Sequence, residues 1–135
     1  MTEITDFLMK NYFAKYNGTR TDIVPTVQQL EDGYKTHKDK FVIIKDDKIK
    51  GIAIFLTLTD ETYKQLKELD ITRVDILKML LKESGQNVHF VLLCAGGIRT
   101  ILAVGNEVKR RVKPKTVSWW NPSFTKLHQF QVGGK

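Results

Sequence analysis

The chain has 135 residues, 41% of them hydrophobic and 27% charged, with a formal net charge of +7. That size and balance suit one globular domain and exclude a wholly disordered chain. A single cysteine, Cys94, excludes an internal disulfide and any multi-cysteine metal centre, and no apolar run is long enough to span a bilayer.

Residues 2–16 place Ile4, Phe7, Leu8, Tyr12 and Phe13 at helical spacing, and Asn17-Gly18 supplies a C-cap pair. Glu3 and Asp6 break up any signal-peptide layout, so a reducing cytoplasm is the expected setting. A second helix is predicted from Pro25 through Tyr34. The period then changes. Phe41 to Ile44 and Ile49 to Leu58 are β-branched runs around the polar turn 45–48, which reads as an antiparallel hairpin whose second strand is buried on both faces. Asp60 to Glu68 and Thr72 to Glu83 read as helices, the second with a Thr72/Asp75 capping pair. Val88 to Cys94 is a strand, Ala95-Gly96-Gly97 a tight junction, and Arg99 to Val112 a helix stopped by Pro114. Thr116 to Trp120 is a last strand, and Ser123 to Phe130 a last short helix.

This order predicts an α/β (α+β) domain over residues 1–135. Its sheet is mixed and mostly antiparallel, flanked by helices, with the final strand–helix–strand unit forming a parallel pair. Charge is unevenly placed. Residues 1–98 hold fourteen basic and fourteen acidic side chains, whereas residues 99–135 hold eight basic and one acidic. The last third therefore points to an anionic partner.

The stretch from Val88 to Thr100 offers one chemistry for such a partner. A strand running through two glycines into a helix N-terminus presents unpaired amides and the positive end of the helix dipole, a setting for phosphate. Gly96, Gly97, Ile98, Arg99 and Thr100 are the candidate contacts. The spacing satisfies neither the Walker loop nor the three-glycine dinucleotide fingerprint.

The succession Val88–Cys94, Ala95–Ile98, Arg99–Val112, Thr116–Trp120 and Ser123–Phe130 resembles the core of the GNAT-type acyl-CoA N-acyltransferase superfamily. The Val117-Ser118-Trp119-Trp120 segment also has some likeness to the toxin-activating acyltransferase branch. The resemblance implies a GNAT-like fold that binds acetyl-CoA or another acyl-CoA as co-substrate and passes the acyl group to an amine or protein acceptor. It implies that Gly96 to Thr100 grip the pyrophosphate. Leu92 and Leu93 would flank the pantetheine arm on one side, and Asn121 would contact it on the other.

Acid–base candidates are few. His89 on the strand is the candidate base, and Ser123 and His128 on the last helix are candidates for protonating the leaving group. Cys94 reads as a buried structural cysteine. The three histidines stand in no metal-ligand spacing, so no metal site is expected. A different class of partner is suggested by Lys109, Arg110, Arg111, Lys113 and Lys115, followed by Trp119-Trp120. Basic residues near aromatics can track a nucleic-acid backbone and stack bases.

Overall fold

The computed structural model describes residues 3, 6, 7, 33–69, 74–120 and 126–132. Most of the first two expected helices, the Thr72 half of the capping pair, and the candidates Asn121 and Ser123 lie outside the described residues. Glu3, Asp6 and Phe7 are helical, as is the turn 33–36, which leads through a 3-10 turn at Lys38–Lys40 into the sheet.

The hairpin forms as its sequence pattern predicts. Strand β1 (Phe41–Lys45) pairs antiparallel with β2 (Ile49–Leu58), and every residue of β2 from Gly51 to Leu58 is buried. Helix α1 (Asp60–Lys64) follows, with Thr59 as N-cap, and the chain continues in turns to Glu68 rather than as helix. Helix α2 (Val74–Leu81) returns the chain to β3 (Asn87–Ala95), which lies antiparallel to β2. Helix α3 (Ile98–Val112) then crosses over to β4 (Thr116–Trp120), and β3 and β4 are parallel.

The last element corrects an expectation. In place of a helix over Ser123–Phe130 the chain forms strand β5 (Leu127–Gln131), antiparallel to β4. Leu127-His128-Gln129-Phe130-Gln131 does not itself choose between helix and strand, and the ladder bonds open along β4 favour an extended partner over an isolated helical turn. The five strands make one sheet in the order β1-β2-β3-β4-β5, an α+β architecture with a mixed sheet.

The two faces of the sheet bury different sets. On one, Val42, Ala53, Phe55 and Val88 meet Val104 and Val108 of α3. On the other, Leu56 and Leu58 meet Leu66 and Leu80 from the α1–α2 region, while Phe41, Ile52, Ile54 and Leu92 pack beneath Phe7 and Tyr34. Covering both faces of β2 explains its unbroken apolar run.

Buried polar groups are tied together where strands end. Asn87 donates from Nδ2 to the Leu58 carbonyl (3.1 Å) and to Asp60 Oδ1 (2.8 Å), and its Oδ1 accepts from Thr116 Oγ1 (2.8 Å). One amide thus joins β2, α1, β3 and β4. The hydrogen bond from Lys115, with that from this amide, holds the Asp60 carboxyl below the usual carboxylate range. The buried Lys40 ammonium donates to Thr57 Oγ1 (2.5 Å) and to the Glu83 carbonyl (3.3 Å), and desolvation pushes its pKa down. Beyond α2, the Glu83 carboxylate accepts from Thr59 N, Thr59 Oγ1 and Thr62 Oγ1, which secures the start of α1.

Candidate anion site at the start of helix α3

The β3–loop–α3 unit owes its geometry to two irregularities. The first is a bulge. Ile54 pairs with Leu92 and Phe55 with Phe90, so Val91 is the extra residue on β3. A bulge bends its strand and re-aims the residues beyond it. Pairing with β4 stops at the same place, since the parallel register runs only from Asn87↔Thr116 to Phe90↔Trp119. From Val91 to Ala95, β3 is therefore paired to β2 alone among the described residues. That leaves about 16 Å of strand edge at ~3.3 Å per residue.

The second irregularity is a close approach that the sequence reading missed. A Cβ placed on Gly51 would come within 2.5 Å of Thr100 Cγ2, so the absence of a side chain there lets the first turn of α3 settle on the start of β2. Gly51 faces Ala95 across the ladder, which puts the loop, the helix start and the end of β3 in one place. The signal for this was a lone glycine in a β-branched run, a mark of close backbone approach.

At the open end of that rim, Gly97 is the N-cap of α3, so no side chain caps the first amides, and the first turn contains no acid. A Cβ on Gly97 would meet nothing within 4 Å, and one on Gly96 would meet only the Lys50 carbonyl, at 3.8 Å. These glycines answer no clash within the fold; they leave the backbone bare. Arg99 is exposed beside them, Ile98 is 68% exposed, and Thr100 is half-buried against Gly51. Bare amides at a helix start with a neighbouring guanidinium suit a phosphate or pyrophosphate group. Of the flanking leucines, Leu92 is buried in the core and Leu93 is 41% exposed on the opposite face. Cys94 is half-buried against the Ile52–Leu92 cluster and less enclosed than a core cysteine.

The acid–base candidates do not converge on this loop. His89 is fully buried, pairs with Leu56, and holds Ser118 Oγ at 2.8 Å through Nδ1. Burial lowers its pKa from 6.5 to about 4, so the ring is neutral at physiological pH, and Nε2 has no hydrogen-bond partner among the described residues. Ser118 Oγ in turn lies 3.4 Å from the Val88 carbonyl. His128 stands on β5 rather than on a helix, and its ring stacks on Trp119 at 5.4 Å. Trp119 and Ser118 are consecutive in β4 and face opposite ways. His89 and His128 are accordingly on opposite faces of the sheet.

The basic run of α3 is also divided. Arg110 and Arg111 both bind the Glu107 carboxylate and lower its pKa to about 2. Arg111 also donates to the carbonyls of Asp39 (3.1 Å) and Phe41 (2.7 Å). Lys115 pairs with Asp60 at 2.6 Å. Lys109 and Lys113 are exposed and make no ion pair among the described residues. No helix among those residues is long and apolar enough to cross a membrane. No family profile, curated protein or solved structure matches the chain.

Proposed function

We propose that the chain is a GNAT-like acyl-CoA-dependent N-acyltransferase domain, with the acyl-CoA held along the free rim of β3 and at the start of α3. The observation that carries this reading is the coincidence of the Val91 bulge, the end of β3–β4 pairing and the bare N-terminus of α3 within one continuous stretch of backbone. Backbone N–H and C=O groups of Val91 to Ala95 are placed to accept an amide-bearing arm as a strand would be accepted. The amides of Ile98 to Thr100, with Arg99, take the pyrophosphate. Leu93 and Ile98 offer apolar contact on either side of the loop.

In the transfer the thioester C–S bond breaks and an amide C–N bond forms, while the proton of the amine passes to solvent and the thiolate is protonated from it. The buried, neutral His89 fits a role in fixing β3 to β4 through Ser118 rather than in moving that proton.

Calorimetric titration of acetyl-CoA and of free coenzyme A into the wild type and a Gly97→Trp variant tests the reading. Saturable binding of both ligands, lost in the variant, is expected, because an indole would occupy the open space over the first amides of α3. No binding to the wild type at millimolar ligand would refute it.

A further inference from the structure

Among the described residues, exposed apolar surface is concentrated on one side. Seven large hydrophobic residues are exposed among those described, and all but Met79 lie on α3 or on the sheet face that α3 partly covers. Leu93 pairs with Ala53, Trp119 with Phe90 and Phe130 with Val117, and all three partners belong to the cluster beneath α3. Cross-strand partners share a face. Helix α3 packs chiefly over β1, β2 and β3. Among the described residues no helix packs chiefly on the same face of β4 and β5 beside it.

That area is built of rings. Trp119 lies against His128 at 5.4 Å with planes 22° apart, and against Phe130 at 5.2 Å with planes 23° apart. Trp119 is 37% exposed and Phe130 53%. An antiparallel sheet commonly sends its aromatics inward and shows a polar outer face. Three near-parallel rings stacked one on another stand on this face, and Phe130, more than half exposed, is available to extend the stack.

The border of the stack is cationic. Arg111 reaches back over β1, so the opposite side of α3 faces β4. At 100° per residue that side carries Ile101, Gly105, Lys109 and Val112, and Lys113 follows as the left-handed C-cap with φ 48°. Val112 packs with Val117 in the same cluster, which brings the Lys109–Lys113 end of the helix next to the strand pair that carries Phe130. Neither β4 nor β5 contains an acid, and Glu107, the one acid of α3, is held by Arg110 and Arg111.

We propose that this face binds single-stranded nucleic acid, with a base extending the Trp119–His128–Phe130 stack at Phe130 and phosphates meeting Lys109 and Lys113. An exposed ring at the end of a stack takes a base only where that base is unstacked from a partner strand, so the ligand is single-stranded. Among the described residues two lysines without an ion pair stand beside strands that carry no carboxylate, which favours a polyanion over a neutral protein surface. The stack is separate from the Gly96–Thr100 loop, and the inference stands whether or not that loop takes an acyl-CoA.

The test is titration of an oligothymidylate of about 15 nucleotides into the protein, followed by tryptophan fluorescence at 50 and 200 mM salt. The expected result is quenching of Trp119, with affinity falling about seven-fold between the two salts for two neutralised phosphates. Trp119→Ala and Phe130→Ala are each expected to weaken binding about ten-fold. Phe130 is more than half exposed, so its replacement leaves the core intact. Lys109→Ala with Lys113→Ala should flatten the salt dependence, and Gly97→Trp should bind as the wild type does. The proposal is overturned by failure of the wild type to bind at 50 mM salt, or by unchanged affinity in the folded Phe130→Ala variant. Equal binding of polyglutamate or of phosphatidylserine vesicles would also overturn it, showing attraction to charge without stacking.

Discussion

The buried histidine makes the fold sensitive to mild acid, and the size of the effect follows from where it sits. His89 is enclosed between Leu56 and Ser118, and burial lowers its pKa from 6.5 to about 4. Above pH 6.5 the ring is neutral in the folded and the unfolded chain and does not affect the balance between them. As the pH falls below 6.5 the unfolded chain takes up a proton that the folded chain refuses until about pH 4. The stability present at neutral pH is thus lost progressively over that window. At 1.36 kcal/mol per pKa unit the total is about 3 kcal/mol, of which about 2 kcal/mol is lost between pH 7 and pH 5. Exposed carboxylates also titrate toward the lower end, so the informative quantity is the difference between the wild type and His89→Leu. Urea unfolding of both proteins at pH 7 and pH 5 should show the wild-type midpoint falling further by roughly 1 M, for a denaturant slope of 1–3 kcal/mol/M. Parallel behaviour of the two proteins would show that His89 is protonated in the folded state, and the account of a neutral, desolvated ring would fail.

Two further predictions concern glycines that admit other groups. Gly51→Ala is expected to destabilise the fold by about 1–3 kcal/mol, because the new methyl meets Thr100 Cγ2 at 2.5 Å. Adding Thr100→Ser, which deletes that carbon, should restore most of the loss. A double-mutant cycle in denaturant reads the coupling, and additive losses would refute the contact. Gly85→Ala meets backbone instead, with the Leu58 carbonyl oxygen at 2.1 Å and Thr59 N at 2.7 Å. No side chain can yield there, so a loss of about 3 kcal/mol is expected in the same assay, and a near-neutral result would contradict the close approach.

Much of the sheet was legible because its strands carry periodic or continuous apolar runs. Ile49 to Leu58 reads as a strand covered on both faces and is one, and Thr116 to Trp120 has the predicted bounds. The parallel pairing of β3 with β4 followed from the length of the crossover between them. The error at β5 has a local cause. Five residues, Leu127 to Gln131, are too few to separate a two-residue period from a helical one, and Pro122-Ser123 made a helix start plausible. What decided it was the free edge of β4, a tertiary fact. The candidate site was legible only in outline. Gly96-Gly97 and Arg99 stand where the pattern predicts, but the Val91 bulge leaves no mark in a run of apolar residues. Nor does alternation show that His89 would be sealed under α2's side of the sheet while His128 stacks on the other. The basic run from Lys109 to Lys115 read as one feature. Glu107, Asp60 and the β1 carbonyls divide it, because residues one or two apart on a helix point in different directions.

The spatial order of the strands is also their order along the chain. Each new strand is laid against the edge made by the one before, and none has to be inserted between two that are already paired. A nascent chain can therefore build this sheet from its hairpin outward. β3 docks on β2 once the segment through α2 has emerged, and the crossover through α3 then delivers β4 to the remaining edge. Pairing of sequence neighbours keeps loop-closure entropy low and favours rapid folding. On this route β3 is the growing edge until α3 has emerged, so a nascent chain exposed only as far as residue 97 would hold β1 to β3 with the face later taken by α3 uncovered. That intermediate is the point at which a chaperone would have most to protect.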